Sequence, residues 1–215
     1  MFSTFYFLNA IKANLFPLGS MELPVFELLI SESEDSSLMV DVVSLVDKPA
    51  IEKNFLAFKD EKQCFATNEE MRIISGPAMI ADKPIYRNAD KNMPEHLVVF
   101  RASTILSIAQ KFFSKGLHNQ FNLMHDPNLK AEDVFVFESF IVDDKRGIKP
   151  MAGYEDAPNG SWFLSAKVNN NEVWAKIKNG EIKGFSVEGL FKYQKEKMSE
   201  QKAFEQILQI LNNIE

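Results

Sequence analysis

Cysteine is almost missing from this chain: 215 residues hold a single one, Cys64. An internal disulfide and a multi-cysteine zinc site are therefore excluded, and the composition suits a reducing compartment. Histidine is nearly as scarce, with only His96, His118 and His125. Their spacing has no metal-ligand pattern, so no metal centre and no cofactor is expected. The chain has no glycine-rich phosphate loop, no His-Glu-x-x-His helix and no Gly-x-Ser-x-Gly elbow. Blocks of positive charge are missing too. Lys and Arg number 24 against 30 Asp and Glu, net charge is -6, and the two signs are intermixed. Nucleic acid is thus not expected as the main partner. No long hydrophobic run is present. Residues 1–18 are apolar but interrupted by Asn9, Lys12 and Asn14, too short and too broken to cross a bilayer. A signal peptide would want positive charge ahead of that stretch, and there is none. No repeat of 20–50 residues and no regular strand–helix alternation occurs, which excludes a solenoid and a doubly wound sheet.

Phenylalanine is plentiful, at 19 residues, which favours strands and an aromatic core. Apolar or alternating runs predict strands at residues 23–30, 38–46, 55–58, 72–80, 85–87, 97–101, 121–125, 134–142, 161–168 and 182–193. Gly76-Pro77 within one of them suggests an edge or a bulge. Ser103 is the expected cap of a helix whose inward stripe is Ile105, Ile108, Ala109, Phe112 and Phe113, stopped at Gly116. Asn169 and Glu172 suggest a capping box on a second short helix that ends at Gly180. Residues 59–70 are charged and expected to face solvent. Residues 143–160 form a long polar loop of the kind that often binds something. The tally predicts a mainly β fold with peripheral helices, a closed or nearly closed mixed β-barrel. Residues 1–20 read as an N-terminal extension or docking helix, 21–196 as the barrel domain, and 197–215 as a C-terminal helix with Phe204, Ile207, Leu208 and Leu211 on one side.

Three positions invite chemistry. His125 ends an expected strand, with Phe121 and Leu123 on the same face, so its imidazole belongs at a barrel rim. It is either a surface histidine or a base able to change charge near neutrality. Glu138 interrupts Val134-Phe135-Val136-Phe137-Glu138-Ser139-Phe140 and is either solvent-facing or buried with a partner, since unpaired burial is costly. In Gly184-Phe185-Ser186-Val187-Glu188-Gly189, two glycines clear space around a serine. Ser186 is either an ordinary strand serine beside a bulge or an accessible nucleophile.

These stretches carry a resemblance. Ser44-Leu45-Val46-Asp47-Lys48-Pro49-Ala50-Ile51-Glu52, Gly76-Pro77-Ala78-Met79-Ile80, Asn122-Leu123-Met124-His125, Glu138-Ser139, Gly160-Ser161-Trp162 and the Gly184–Gly189 run together resemble the tailed-phage prohead maturation proteases. That family is similar in fold to the herpesvirus assembly protease. The separation of 61 residues between positions 125 and 186 (186 minus 125) fits it as well. The resemblance implies a barrel of the viral assembly-protease type, with Ser186 as nucleophile and His125 as base. Herpesvirus-type enzymes place a second histidine after the serine, and none follows His125 here. An acid must then replace it, Glu138 first with Asp126 and Glu188 behind it, or the site works as a dyad. It further implies a serine endopeptidase that cleaves major capsid and scaffold proteins, self-associates as a dimer or higher, and acts in the host cytoplasm inside the assembling procapsid. The alternative reading is a catalytically silent scaffold or core protein of the procapsid with the same fold.

Overall fold

The structure is a computed structural model that describes residues 23–30, 40–49, 66–68 and 71–195. The expected extension at 1–20, the strand at 55–58, Cys64 and the C-terminal helix lie outside the described residues. In chain order the strands are β1 (Val25–Leu29), β2 (Val40–Val46), β3 (Ala66–Asn68), β4 (Ile73–Met79), β5 (Ile85–Arg87), β6 (His96–Val99), β7 (Phe121–Leu123), β8 (Asp126–Lys130), β9 (Val134–Ile141), β10 (Trp162–Val168), β11 (Gly184–Gly189) and β12 (Lys192–Lys195). Helix α1 (Ala102–Ser114) separates β6 from β7, and α2 (Asn171–Lys178) separates β10 from β11.

The strands form three four-stranded sheets, ordered β12-β1-β6-β5, β3-β4-β10-β9 and β11-β2-β7-β8. The second is antiparallel throughout; the others each contain one parallel pair, β1 with β6 and β2 with β7. The fold is mainly β, as expected. Among the described residues no ladder closes a sheet on itself, so the expected barrel closure is not made by hydrogen bonds. One cause is visible at residues 182–193, which read as one strand but serve two sheets. The register shifts at Glu188/Gly189, β11 stays with β2, and β12 crosses to β1. β11 ends its own sheet and packs beside β4 of another, and Ser186 lines a cavity with residues of both strands.

The core lies where β10 is covered from both sides. Trp162, Leu164, Ala166 and Val168 of β10 are buried with Ile105, Ile108 and Phe112 of α1, and Trp162 meets Phe112 edge-on at 5.6 Å. The α1 stripe follows the predicted spacing except at Phe113, which is exposed. The cap differs: the helix opens after Arg101, two residues before Ser103. Asn170 rather than Asn169 caps α2, accepting from the amides of Glu172 and Val173 at 3.0 Å each. Asn169 is still tied to the strands through its own N–H to the Asp133 carbonyl. The Gly76-Pro77 interruption is a bulge, with Trp162 opposite Met79 and Phe163 opposite Pro77, so Ala78 is the extra residue.

The 143–160 connection is packed rather than open. Asp143 accepts from the amides of Lys145 and Arg146 to cap a single 3-10 turn, and Tyr154, Met151 and Ala157 close over Phe163, Ile80 and Val142. The connection ends at Gly160, whose N–H donates to the Val142 carbonyl at 2.8 Å. Its φ is +89°, and a Cβ there would lie 2.3 Å from Ala102 Cβ at the start of α1. Gly160→Ala should therefore cost about 2 kcal/mol or more from backbone strain and overlap together. Gly153→Ala is the matched control, because φ is +88° there but the space is open. Urea unfolding of both variants checks this, and equal losses would remove the close approach as the cause.

Candidate active site

Three neighbouring strands present a polar row on one face of the β11-β2-β7-β8 sheet. Ser186 of β11 is directly opposite Ser44 of β2, and Ser44 is opposite Asn122 of β7. Glu188 follows Ser186 by two residues, so the two-residue period puts it on the same face. The opposite face carries Phe185, Leu45, Val43 and Phe121 into the core.

His125 reaches this row from a hairpin rather than from a strand, which corrects the expected placement. β7 ends at Leu123, which pairs with Asp126 of β8, leaving Met124 and His125 as the two central turn residues. Both have positive φ, 54° and 61°, the handedness that two-residue hairpins demand and that side chains resist. The tip is fastened to β2: the Met124 N–H donates to the Leu45 carbonyl at 3.0 Å, and the Asp47 N–H meets Met124 Sδ at 3.3 Å.

The imidazole then lands on the carboxylate of Glu188. His125 Nδ1 lies 3.1 Å from Glu188 Oε1 and 3.1 Å from Ser44 Oγ. Asn122 Nδ2 donates to the same Oε1 at 2.7 Å, and the Ser44 hydroxyl contacts both Oε1 and Asn122 Oδ1, the latter at 2.5 Å. Ser44 and Asn122 are buried, so each needs such partners. Burial pushes the Glu188 carboxyl upward, but hydrogen bonds from Ser44, Asn122 and His125, with the His125 charge, outweigh it and hold the group below its ordinary range. It is thus ionised at neutral pH and can only accept. Nδ1 must then carry a proton, which leaves Nε2 of the neutral ring as the nitrogen with a free lone pair. Among the described residues nothing hydrogen-bonds Nε2. The ring is 45% exposed.

Ser186 is 7% exposed and lines a cavity of about 40 Å³ between β11, β4 and β5. It shares the sheet face with the imidazole's partners, although no hydrogen bond joins it to His125 among the described residues. Ser44, by contrast, is 0% exposed. Glu138 is placed in a different sheet, where its Oε2 accepts from Ser165 Oγ at 2.5 Å and Ser165 in turn accepts from Ser75 Oγ at 2.9 Å. Asp126 turns to its own strand β8 and accepts from Asn128 N–H at 2.8 Å and Asn128 Nδ2 at 3.0 Å. The structure thus brings Glu188 to His125, and neither Glu138 nor Asp126. Sequence reasoning did not single out Ser44 or Asn122. Their signal was a polar side chain inside a buried apolar run, Val42-Val43-Ser44-Leu45-Val46 and Phe121-Asn122-Leu123. Among the described residues no group of three or more His, Cys, Asp or Glu is placed to hold a metal ion. No helix among them is long and apolar enough to cross a membrane.

The His125–Glu188 pair and Ser186 beside its cavity thus lie on and next to one sheet face of a mainly β scaffold. The family model described as "Putative phage serine protease XkdF" matches residues 65–195, more than half of the chain, and the chain belongs to that family. Asn122, His125, Glu138, Ser186 and Glu188 lie within the matched span, and Ser44 lies outside it. No curated protein and no solved structure gives a match.

The depressed Glu188 value fixes the sign of a pH effect. A carboxylate lowered on folding stabilises the fold fully above its unfolded value, and that stabilisation is lost as pH falls through the folded value. Wild type should therefore exceed Glu188→Gln in stability at pH 7, with the gap closing as pH drops through the carboxylate range. Urea midpoints for both proteins across that range check it, and a pH-independent gap would mean the donors around Glu188 do not hold its charge.

Proposed function

We propose that this chain is a serine endopeptidase of phage procapsid maturation, with Ser186 as nucleophile, His125 as general base and Glu188 as the acid that orients the ring. The observation that carries this reading is the 3.1 Å contact between His125 Nδ1 and the Glu188 carboxylate in a chain of a phage serine protease family. Ser186 Oγ attacks a peptide carbonyl carbon as its proton passes to His125 Nε2. Glu188 stabilises the imidazolium that forms. The tetrahedral species then collapses, the ring returns the proton to the leaving amine, and water repeats the sequence on the acyl-enzyme.

Access favours Ser186 over Ser44 as nucleophile. Ser44 does touch the ring, but through Nδ1, the nitrogen committed to Glu188, and it is fully buried. Ser186 is also buried, but it lines a cavity. That cavity, about 40 Å³, is far below the ~300–1,000 Å³ of pockets that enclose a whole small molecule. In this reading capsid and scaffold proteins are the substrates and the enzyme self-associates inside the assembling procapsid of the host cell; the family match supports the phage setting. Ser44 and Asn122 act as positioning residues that hold Glu188 and the ring.

Incubation of the purified chain with its procapsid proteins, followed by gel electrophoresis, tests the reading. Ser186→Ala and His125→Ala should each lower cleavage by about 10³-fold or more. Ser44→Ala should keep cleavage while moving the lower limb of its pH profile, as expected for loss of a donor to the orienting acid. A fluorophosphonate label should map to Ser186. Mapping to Ser44 would overturn the nucleophile assignment, and a wild-type chain that cleaves nothing would leave the assembly role in its place.

A further inference from the structure

The cavity beside Ser186 has a composition that bond cleavage alone does not explain. Ile80, Phe100, Phe185 and Phe191 give it apolar walls, and Phe100 and Phe191 brace each other edge-on at 5.1 Å. Its charged lining is Lys83, from the β4–β5 connection, and Arg87, at the end of β5. Among the described residues no carboxylate lines it. Two cations lining the cavity beside Ser186 stand out in a chain of net charge -6.

Lys83 is half-buried, and Arg87 is exposed. Burial pushes the Lys83 ammonium below its ordinary value, with Asp156 opposing that shift. Asp156 lines the neighbouring cavity, which Lys83 also borders, so Lys83 stands between that acid and the space beside Ser186. A partly desolvated cation attracts an incoming carboxylate more strongly than one in bulk water. Planar, multi-donor Arg87 suits a carboxylate equally.

We propose that this cavity is a substrate subsite next to the scissile bond and that it selects a carboxylate-bearing side chain, Glu or Asp. The apolar walls pack the methylene stem, and Lys83 and Arg87 meet the head. Its place beside the scissile bond rests on the reading of Ser186 as nucleophile. Purely apolar selection would need neither cation, and a basic side chain would be repelled by both.

Two readouts separate the subsite from the peptidase reading. Fluorescein-labelled octapeptides that vary one central position among Glu, Gln, Phe and Lys are bound to the full-length Ser186→Ala chain by anisotropy, and cut by the wild-type chain. Glu should be preferred over Gln and Lys by at least tenfold in either readout. Lys83→Gln and Arg87→Gln should each lower that preference at least threefold while leaving the Phe peptide unchanged. Cleavage that is indifferent to the acid overturns the subsite and leaves the peptidase standing. Binding with the Glu preference but no wild-type cleavage supports the subsite and overturns the peptidase. No preference for Glu in both readouts overturns the subsite.

Discussion

The contact between His125 and Glu188 is the constraint on which the site is built. It needs a carboxylate kept ionised while partly withdrawn from water, and a ring delivered to it by a strained turn. Neither is favourable alone. The carboxylate is kept charged by three donors that converge on one oxygen, and those donors come from β2, β7 and the hairpin beyond β7. Two positive-φ residues without glycine cost on the order of 1–3 kcal/mol each. The backbone bond from Met124 to Leu45 and the ring's own bonds offset that cost.

β11 links this constraint to the remainder of the molecule. It carries Glu188 toward the ring, Ser186 toward the cavity and Phe185 into the core, all within a few residues. It lies at the end of one sheet and against β4 of another, so the cavity opens at a seam between sheets. Chemistry at a seam is accessible to an extended chain, whereas the centre of a sheet is not. Ser44, the next hydroxyl in the row, is fully buried and contacts Asn122, His125 and Glu188.

Much of this was legible in the sequence. The Phe-rich strands pointed to a mainly β fold, and the glycines flanking Ser186 and the histidine at the end of a short apolar run drew attention to residues that the fold sets on and beside one sheet face. The acid was the harder part. Glu138 stands first among the candidate acids in the sequence, and a two-residue period there puts apolar Val136 and Phe140 on its face. A register shift at Ser165/Ala166 leaves Phe137 as an extra, exposed residue, and the alternation fails there. Glu188 was named only as a fallback, although its spacing from Ser186 already set both on one face. His125 was read as a strand residue because Met124-His125 lacks the Asn-Gly or Gly-Gly chemistry that marks tight hairpins. β8, with a proline and no apolar alternation, and β3, three residues long, carried no strand signal; pairing across the sheet made them strands.

Proton-detected nitrogen NMR of the imidazole ring tests the central claim most directly. The account predicts that the neutral His125 ring carries its proton on Nδ1. In Glu188→Gln, that proton should shift or exchange faster. A ring protonated on Nε2 in the wild-type chain, or one whose Nδ1 signal ignores the substitution, would contradict it.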